Sequence, residues 1–260
     1  MDGGTGKAGG GRGLTAQQRG QILTQSVQAC TDDAVELGDL RVHIGSSTTP
    51  KGLNAMTNAT ITTLKNRRTV YALGKALPQS ETAVEALIKD AVRLSPSSFN
   101  SQSSRAVILF GAASEKFWGI VTETLRAIVP AEAFAGTEAK MQSFAAGAGT
   151  VLFYEDQATI KGLQEQFALY ADAFPGFSEH SSGMAQISVW NALADAGIGA
   201  SLQHYNPVID EAVAAAFDVP ASWKLRAQMP FGAIAAAAGD KAYIADEGRF
   251  LTYGDAIAAE

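Results

Sequence analysis

The sequence predicts an α/β or α+β protein in which helices pack around a single sheet, and three observations carry that expectation. Short runs rich in β-branched and aromatic residues, AVILF (106–110), TVLFY (150–154) and the longer WKLRAQMPFGAI (223–234), read as buried strands. The segments between them place apolar residues at helical spacing. Residues that cap or stop helices stand where those patterns begin and end.

Taken in order, NATITTLKNRR is expected to form a short helix ending at the arginine pair. Ser80 is placed to cap a helix through Leu94, with Val84, Leu87, Ile88, Ala91 and Val92 on one stripe, and Pro96 stops it. After AVILF, Ser114 is a candidate cap for a helix carrying Phe117, Ile120, Val121, Leu125 and Ile128. A third helix runs from Thr137 to Phe144 and closes at Gly147. Beyond TVLFY, Asp156 is placed to cap a helix through Phe174. SGMAQISVWNALADAG (182–197) follows, apolar nearly all round and so expected to be buried. GASLQHY (199–205) reads as a strand, and Asn206-Pro207 as the start of a helix through Phe217. In WKLRAQM, strict alternation assigns Trp223, Leu225, Ala227 and Met229 to one face. RFLTY (249–253) is expected as a last strand, for four or five in all. Residues 56–260 read as one domain, and the glycine-rich residues 1–55 as a poorly structured leader with a weak helix at 14–30.

Composition narrows the function. A net charge of −6 argues against nucleic acid, no apolar run reaches membrane-spanning length, and the sole cysteine, Cys30, allows no intrachain disulfide. A cytoplasmic enzyme or binding protein is the default. The lysine and glycines of GKAGGGRG lack phosphate-loop spacing, and the glycines of GAGT (147–150) precede a strand, the reverse of a dinucleotide fingerprint. His43, His180, His204 and Cys30 have no metal-ligand spacing. His180 beside Ser181 and Ser182 does not make a catalytic dyad, because adjacent helical residues do not face each other. Glu155-Asp156 is the only paired-carboxylate candidate, and a helix cap accounts for Asp156 more simply. What remains is polar groups at strand ends: the Arg67–Arg68 pair, which can grip a phosphate, the hydroxyl and amide run Pro96 to Gln102, and LQHYN (202–206). Together they suit a large phosphorylated heterocycle that brings its own chemistry.

The motifs RRTVYAL (67–73), SPSSFNSQSSR (95–105), FAAGAGTVLFYED (144–156), SSGMAQISVWNAL (181–193), GASLQHYNPVID (199–210) and AQMPFG (227–232) stand in one order. In that order they resemble the FMN-dependent nitroreductase family. The nearest branch is the one named for fungal fatty-acid-repression proteins and related bacterial nitroreductases. The resemblance implies an α+β fold, with a central, mostly antiparallel sheet of four to five strands flanked by helices. It implies an intertwined homodimer with two FMN sites at the interface. Arg67, Arg68 and Thr69 would meet the FMN phosphate and ribityl chain, and Pro96, Ser97, Ser98 and Asn100 would approach the flavin from the other subunit. Leu202, Gln203 and His204 would lie along the isoalloxazine. Arg249, or else Lys241, would complete the phosphate site. Phe99, Tyr205 and Phe231 would wall the slot, or simply fill the core. The implied reaction is ping-pong: NADH or NADPH reduces the flavin, and a nitroaromatic or quinone then takes two electrons in the same slot. The alternative is a flavin-bearing redox regulator tied to lipid metabolism or oxidative stress.

Overall fold

The sheet has five antiparallel strands: β1 (Leu73–Gly74), β2 (Ser104–Phe110), β3 (Gly149–Asp156), β4 (Gly199–Ala200) and β5 (Trp223–Ile234). They are seen in a computed structural model that describes residues 58–254; the expectations for residues 1–55 lie outside the described residues. Along the sheet the order is β1-β5-β3-β2, with β4 also paired to β5. The helices are α1 (Ala59–Asn66), α2 (Glu81–Arg93), α3 (Gly111–Arg126), α4 (Phe134–Ala145), α5 (Gln157–Gln166), α6 (Phe174–Asp195) and α7 (Asp210–Ala216).

Each face of the sheet covers its own core, as period-2 alternation in a two-sided sheet requires. On one face, Leu109, Leu152, Tyr154 and Leu225 meet Phe117, Trp118 and Val121 of α3 and Met141 and Phe144 of α4. On the other, Val151, Phe153, Ala227, Met229 and Phe231 meet Val84 and Ile88 of α2 and Val189 and Leu193 of α6. The first face also hides a polar knot in which the Trp118 indole N–H donates to Thr150 Oγ1 at 2.9 Å, and Thr150 Oγ1 lies 2.7 Å from Ser114 Oγ.

Several sequence expectations need correction. Ser114 is no cap: α3 starts at Gly111, directly after β2, and Ser114 is fully buried against Thr150. The faces of β5 swap part-way, so Trp223 and Leu225 point to the α3 side while Ala227 and Met229 point to the α2/α6 side. A β-bulge causes this, because Phe153 pairs with Ala227 and Tyr154 with Leu225, which leaves Arg226 as the extra residue. The chain breaks at Phe167 (φ −122°, ψ 65°), so α5 ends at Gln166, and α6 begins at Phe174, earlier than expected. One side of α6 is exposed, Glu179, His180, Gly183 and Ile187 included. Of 199–205 only Gly199–Ala200 form a strand, and Pro207 lies in a turn ahead of α7. RFLTY forms no strand; the fifth strand is β1.

Two local expectations hold. Ser80 Oγ accepts from the Ala83 N–H at 3.2 Å and opens α2. Asp156 Oδ1 accepts from the Ala158 N–H at 3.2 Å and opens α5, while its Oδ2 lies 3.1 Å from Arg105. Burial alone would raise the Asp156 pKa, but hydrogen bonds from Ser222, Thr159 and Ala158 and the Arg105 charge hold it below the usual carboxylate value. A native pKa below the unfolded one stabilises above roughly pH 4, and that stability disappears as pH falls through the native value. Asp156→Ala should therefore cost about 1 kcal/mol at neutral pH, the usual loss for an N-cap. In denaturant melts the gap from the parent protein should close towards pH 3; a gap independent of pH would refute the charged-cap account.

Candidate functional site

The site begins where α1 ends. Arg67 is the C-cap of α1, and the extended chain after it runs beside β4: Thr69 forms a parallel bridge with Ala200, and the Val70 N–H donates to Ala200 O at 2.9 Å. Beyond β4, Gln203 exchanges both backbone hydrogen bonds with Gln228 of β5, at 2.7 and 2.9 Å. The Ser201 N–H donates to Pro230 O at 3.3 Å and the Tyr205 N–H to Gln228 Oε1 at 2.8 Å. Strand alternation turns the intervening Leu202 and His204 amides to the opposite edge. Gln203 is buried with its Nε2 donating to Ser201 Oγ at 3.1 Å, Leu202 is half-buried and His204 exposed. The structure thus sets Thr69, just after the arginine pair, against Ala200 of β4, whose continuation carries Leu202, Gln203 and His204.

The arginine pair carries an uncompensated charge. Among the described residues neither Arg67 nor Arg68 has a carboxylate within ion-pair distance, whereas Arg105 and Arg226 pair with Asp156 and Glu179. Arg68 Nη2 donates to the Gly239 carbonyl. The Arg67 guanidinium carbon lies 4.3 Å from the centroid of the Trp190 ring. Arg67 Nε is buried without a partner, as are Trp190 Nε1 and Asn191 Oδ1. Burial first, and then the Arg68 charge, hold the Arg67 pKa below its ordinary value, though a guanidinium stays protonated at neutral pH.

The hydroxyl and amide loop is a second half. Ser97 Oγ accepts from the Gln102 N–H at 2.9 Å, and the Ser98 N–H donates to Ser181 Oγ of α6 at 3.3 Å. Phe99, Asn100 and Gln102 adopt left-handed φ of 56°, 48° and 47°, a conformation that only a held loop sustains in non-glycine residues. A cleft lies here, lined by Arg93, Ser95, Pro96, Ser97, Gln102 and Ser104. Within one chain this half is not joined to the arginines. Ser181 and Trp190 mark the two attachment points on α6, nine residues apart, hence roughly 13 Å along the axis.

Of the remaining candidates, Phe231 is fully buried core, and Tyr205 packs on Trp118 with ring centroids 5.9 Å apart. Phe99 packs on Phe167 and Phe174 at 5.1 Å each, yet is 49% exposed. Lys241 and Arg249 both lie in an exposed tail. Each lies over a ring of that tail, Lys241 over Tyr243 and Arg249 over Phe250, but Lys241 is only two residues past Gly239, which Arg68 holds.

Two features were missed from sequence. Trp190 is one, because nothing near it in the chain signals Arg67. The other is Glu155, read only as half of a carboxylate pair. It is fully buried at the end of β3 and accepts from Ser103 Oγ at 2.6 Å, Ser104 Oγ at 2.5 Å and Ser178 Oγ at 2.8 Å. It therefore ties the base of the 96–102 loop to α6. The signal was the serine-rich run itself, whose hydroxyls point inward as well as out. Among the described residues no group of three or more His, Cys, Asp or Glu could hold a metal, and no helix is long and apolar enough to cross a membrane.

The sequence model of the nitroreductase family matches residues 64–233, which takes in the arginine pair, the loop and all of the sheet but Ile234. The chain belongs to the nitroreductase family. Its relatives include two Saccharomyces cerevisiae proteins. HBN1 is 39% identical over 187 residues, covering 71% of this chain and 93% of HBN1. The nitroreductase FRM2 is 35% identical over 204 residues, covering 76% and 95%. Nitroreductase CinD from Lactococcus lactis, solved with nicotinic acid, is 52% identical with a TM-score of 0.71, covering 75% of this chain and all of CinD. CinD has also been solved with chloramphenicol and with 4-nitrophenol. A Desulfitobacterium hafniense nitroreductase with bound FMN shares the nitroreductase fold at 14% identity and a TM-score of 0.57, covering 77% of this chain and all of that one. The chain is thus a fungal-type member of a family of oxidoreductases, with the α+β nitroreductase fold.

Proposed function

We propose that this nitroreductase binds FMN and uses NADH or NADPH to reduce nitroaromatics or quinones. The observation that carries the reading is the Arg67–Arg68 charge, half-buried and without a carboxylate partner among the described residues, with Arg67 Nε and the Nε1 of Trp190, whose ring it lies over, both buried without a hydrogen-bond partner. Two cations with no carboxylate partner among the described residues suit a dianionic phosphate, and buried N–H groups without partners suit a polar ligand. When bound, FMN supplies two-electron transfer between a nicotinamide and the acceptor, so the chain need not provide an acid, base or nucleophile. Arg67, Arg68 and Thr69 hold the phosphate end, with Lys241 better placed than Arg249 to add a third charge. The outward amides of Leu202 and His204 are fixed by the Gln203–Gln228 pair and offer preorganised donors beside the heterocycle. The nitroaromatic class is supported by the chloramphenicol and 4-nitrophenol complexes of CinD.

The working unit is a homodimer. The loop Pro96, Ser97, Ser98 and Asn100 sits too far along α6 to join the arginines of its own chain, so it serves the partner's flavin. Leu169 is 87% exposed and Leu94 81%, with Phe99 and Tyr170 about half exposed, an apolar surface that a second subunit would cover.

The purified protein, given FMN, should be yellow with about one flavin per chain, should behave as a dimer by light scattering, and should oxidise NADH or NADPH with a nitroaromatic or quinone faster than free FMN does. Protein that stays colourless after incubation with FMN would refute the reading.

A further inference from the structure

We propose that Trp190 is a positioning residue for the phosphate end of the site: its indole face holds the Arg67 guanidinium in one plane without neutralising it. The inference rests on the FMN reading above. Its basis is the way the half-buried arginines are restrained. Arg105 and Arg226 are held by the carboxylates Asp156 and Glu179, which use their hydrogen-bonding edges and cancel their charge. The exposed Arg126 also lies over a ring, 4.2 Å from the centroid of Phe134, but it is paired with Glu123 and Glu138 as well. Arg67 has the ring alone, at 4.3 Å, with no carboxylate among the described residues. A guanidinium carries its N–H donors in its plane and its attraction for an aromatic ring on its face. Stacking therefore fixes the orientation of Arg67 while leaving its Nη donors and its full charge for an anion.

The placement of Trp190 makes this restraint stiff. It sits on α6, whose Val189 and Leu193 are fully buried against the sheet, so the ring is carried by a rigid element rather than a loop. Arg67 is the C-cap of α1, and α1 is tied to α6 by Thr63 Oγ1, 2.9 Å from the Asp195 carboxylate. Two anchored helices thus set the arginine and its platform against each other. Without the ring, the long arginine side chain would have to be ordered by the ligand, and that entropy would be charged to binding.

The test compares FMN with riboflavin, which lacks the phosphate, on the full-length apoprotein by fluorescence titration. Trp190→Leu should weaken FMN by about 3- to 30-fold, the span of a partly desolvated cation–π contact. It should leave riboflavin within about 2-fold, the scatter allowed to independent sites. Trp190→Phe should retain most of the FMN affinity, because a ring face remains. Trp190→Met, which fills the space without a ring, should match Trp190→Leu and replaces it should that variant not fold. In an Arg67→Ala background the Trp190→Leu loss should fall below about 2-fold, since the two act as one unit. Equal losses for FMN and riboflavin, additive losses with Arg67→Ala, or Trp190→Phe as weak as Trp190→Leu would each overturn the proposal. Failure of the parent protein to bind FMN would instead overturn the functional reading and this inference with it.

Discussion

Arg67→Ala and Arg68→Ala are each expected to weaken FMN retention by about 1.5–3 kcal/mol, the cost of a lost charged hydrogen bond. That corresponds to roughly 10- to 150-fold in Kd. The effect is large because the site is already desolvated on one side. Arg67 is half-buried with a buried, unpartnered Nε, and among the described residues no carboxylate competes for either cation. The two losses differ in kind. Arg67 leans on Trp190, so its removal also deprives the indole of its partner, whereas Arg68 is held by the Gly239 carbonyl and its removal frees the tail that carries Lys241. Lysine should not restore either position, because a point charge cannot reproduce a planar fork. Equilibrium titration of the apoprotein with FMN, repeated in higher salt, checks the expectation. Affinities unchanged in both variants would remove the phosphate assignment.

Gly232→Ala should be the most destabilising of the single-methyl changes. Gly232 lies in β5, paired with Gly199 of β4, under the edge that carries residues 199–203. A Cβ there would press into the Gly74 carbonyl well inside van der Waals contact and would lie 2.8 Å from the Ala148 nitrogen. Both neighbours are backbone and cannot swing away, so β5 would have to shift against β1 and the start of β3. A loss of about 3 kcal/mol is expected, at the upper end for overpacking. In a chain of this size that lowers Tm by roughly 6–12 °C. Gly162→Ala, in the exposed interior of α5 with nothing within 4 Å of the new methyl, should instead gain about 0.5–1 kcal/mol through helix propensity. Calorimetry on the pair tests the packing account, and similar Tm values for the two variants would refute it.

The proposed flavin site and the stability of this protein thus draw on different information. The helix starts at Ser80 and Asp156 were legible because a cap is a contact across three residues, written wholly in local chemistry. The strands AVILF and TVLFY were legible because β-branched runs with breakers on both sides admit few other readings. Arg67 and Arg68 stood out as adjacent cations without nearby acids, and the hydroxyl loop as an anomalous run ahead of a buried strand.

What stayed hidden depends on segments distant in the chain. Alternation alone could not show that β5 changes faces, because the bulge at Arg226 exists only through its register with β3. RFLTY has the composition of a strand, but a strand needs an edge to pair with, and β1 supplies the fifth strand instead. Ser114 looked like a cap until Thr150, itself bonded by the Trp118 indole, claimed its hydroxyl in the core. The stack of Arg67 on Trp190 and the three serines around Glu155 join residues from separate elements, and their energies come from burial, which no window of sequence reports. Local propensity named the helices, the buried strands and the charged pair; only the long-range packing of α1, α6 and the sheet left that pair half-buried with no carboxylate of the described residues within ion-pair distance, because such distances are set between segments far apart in the chain.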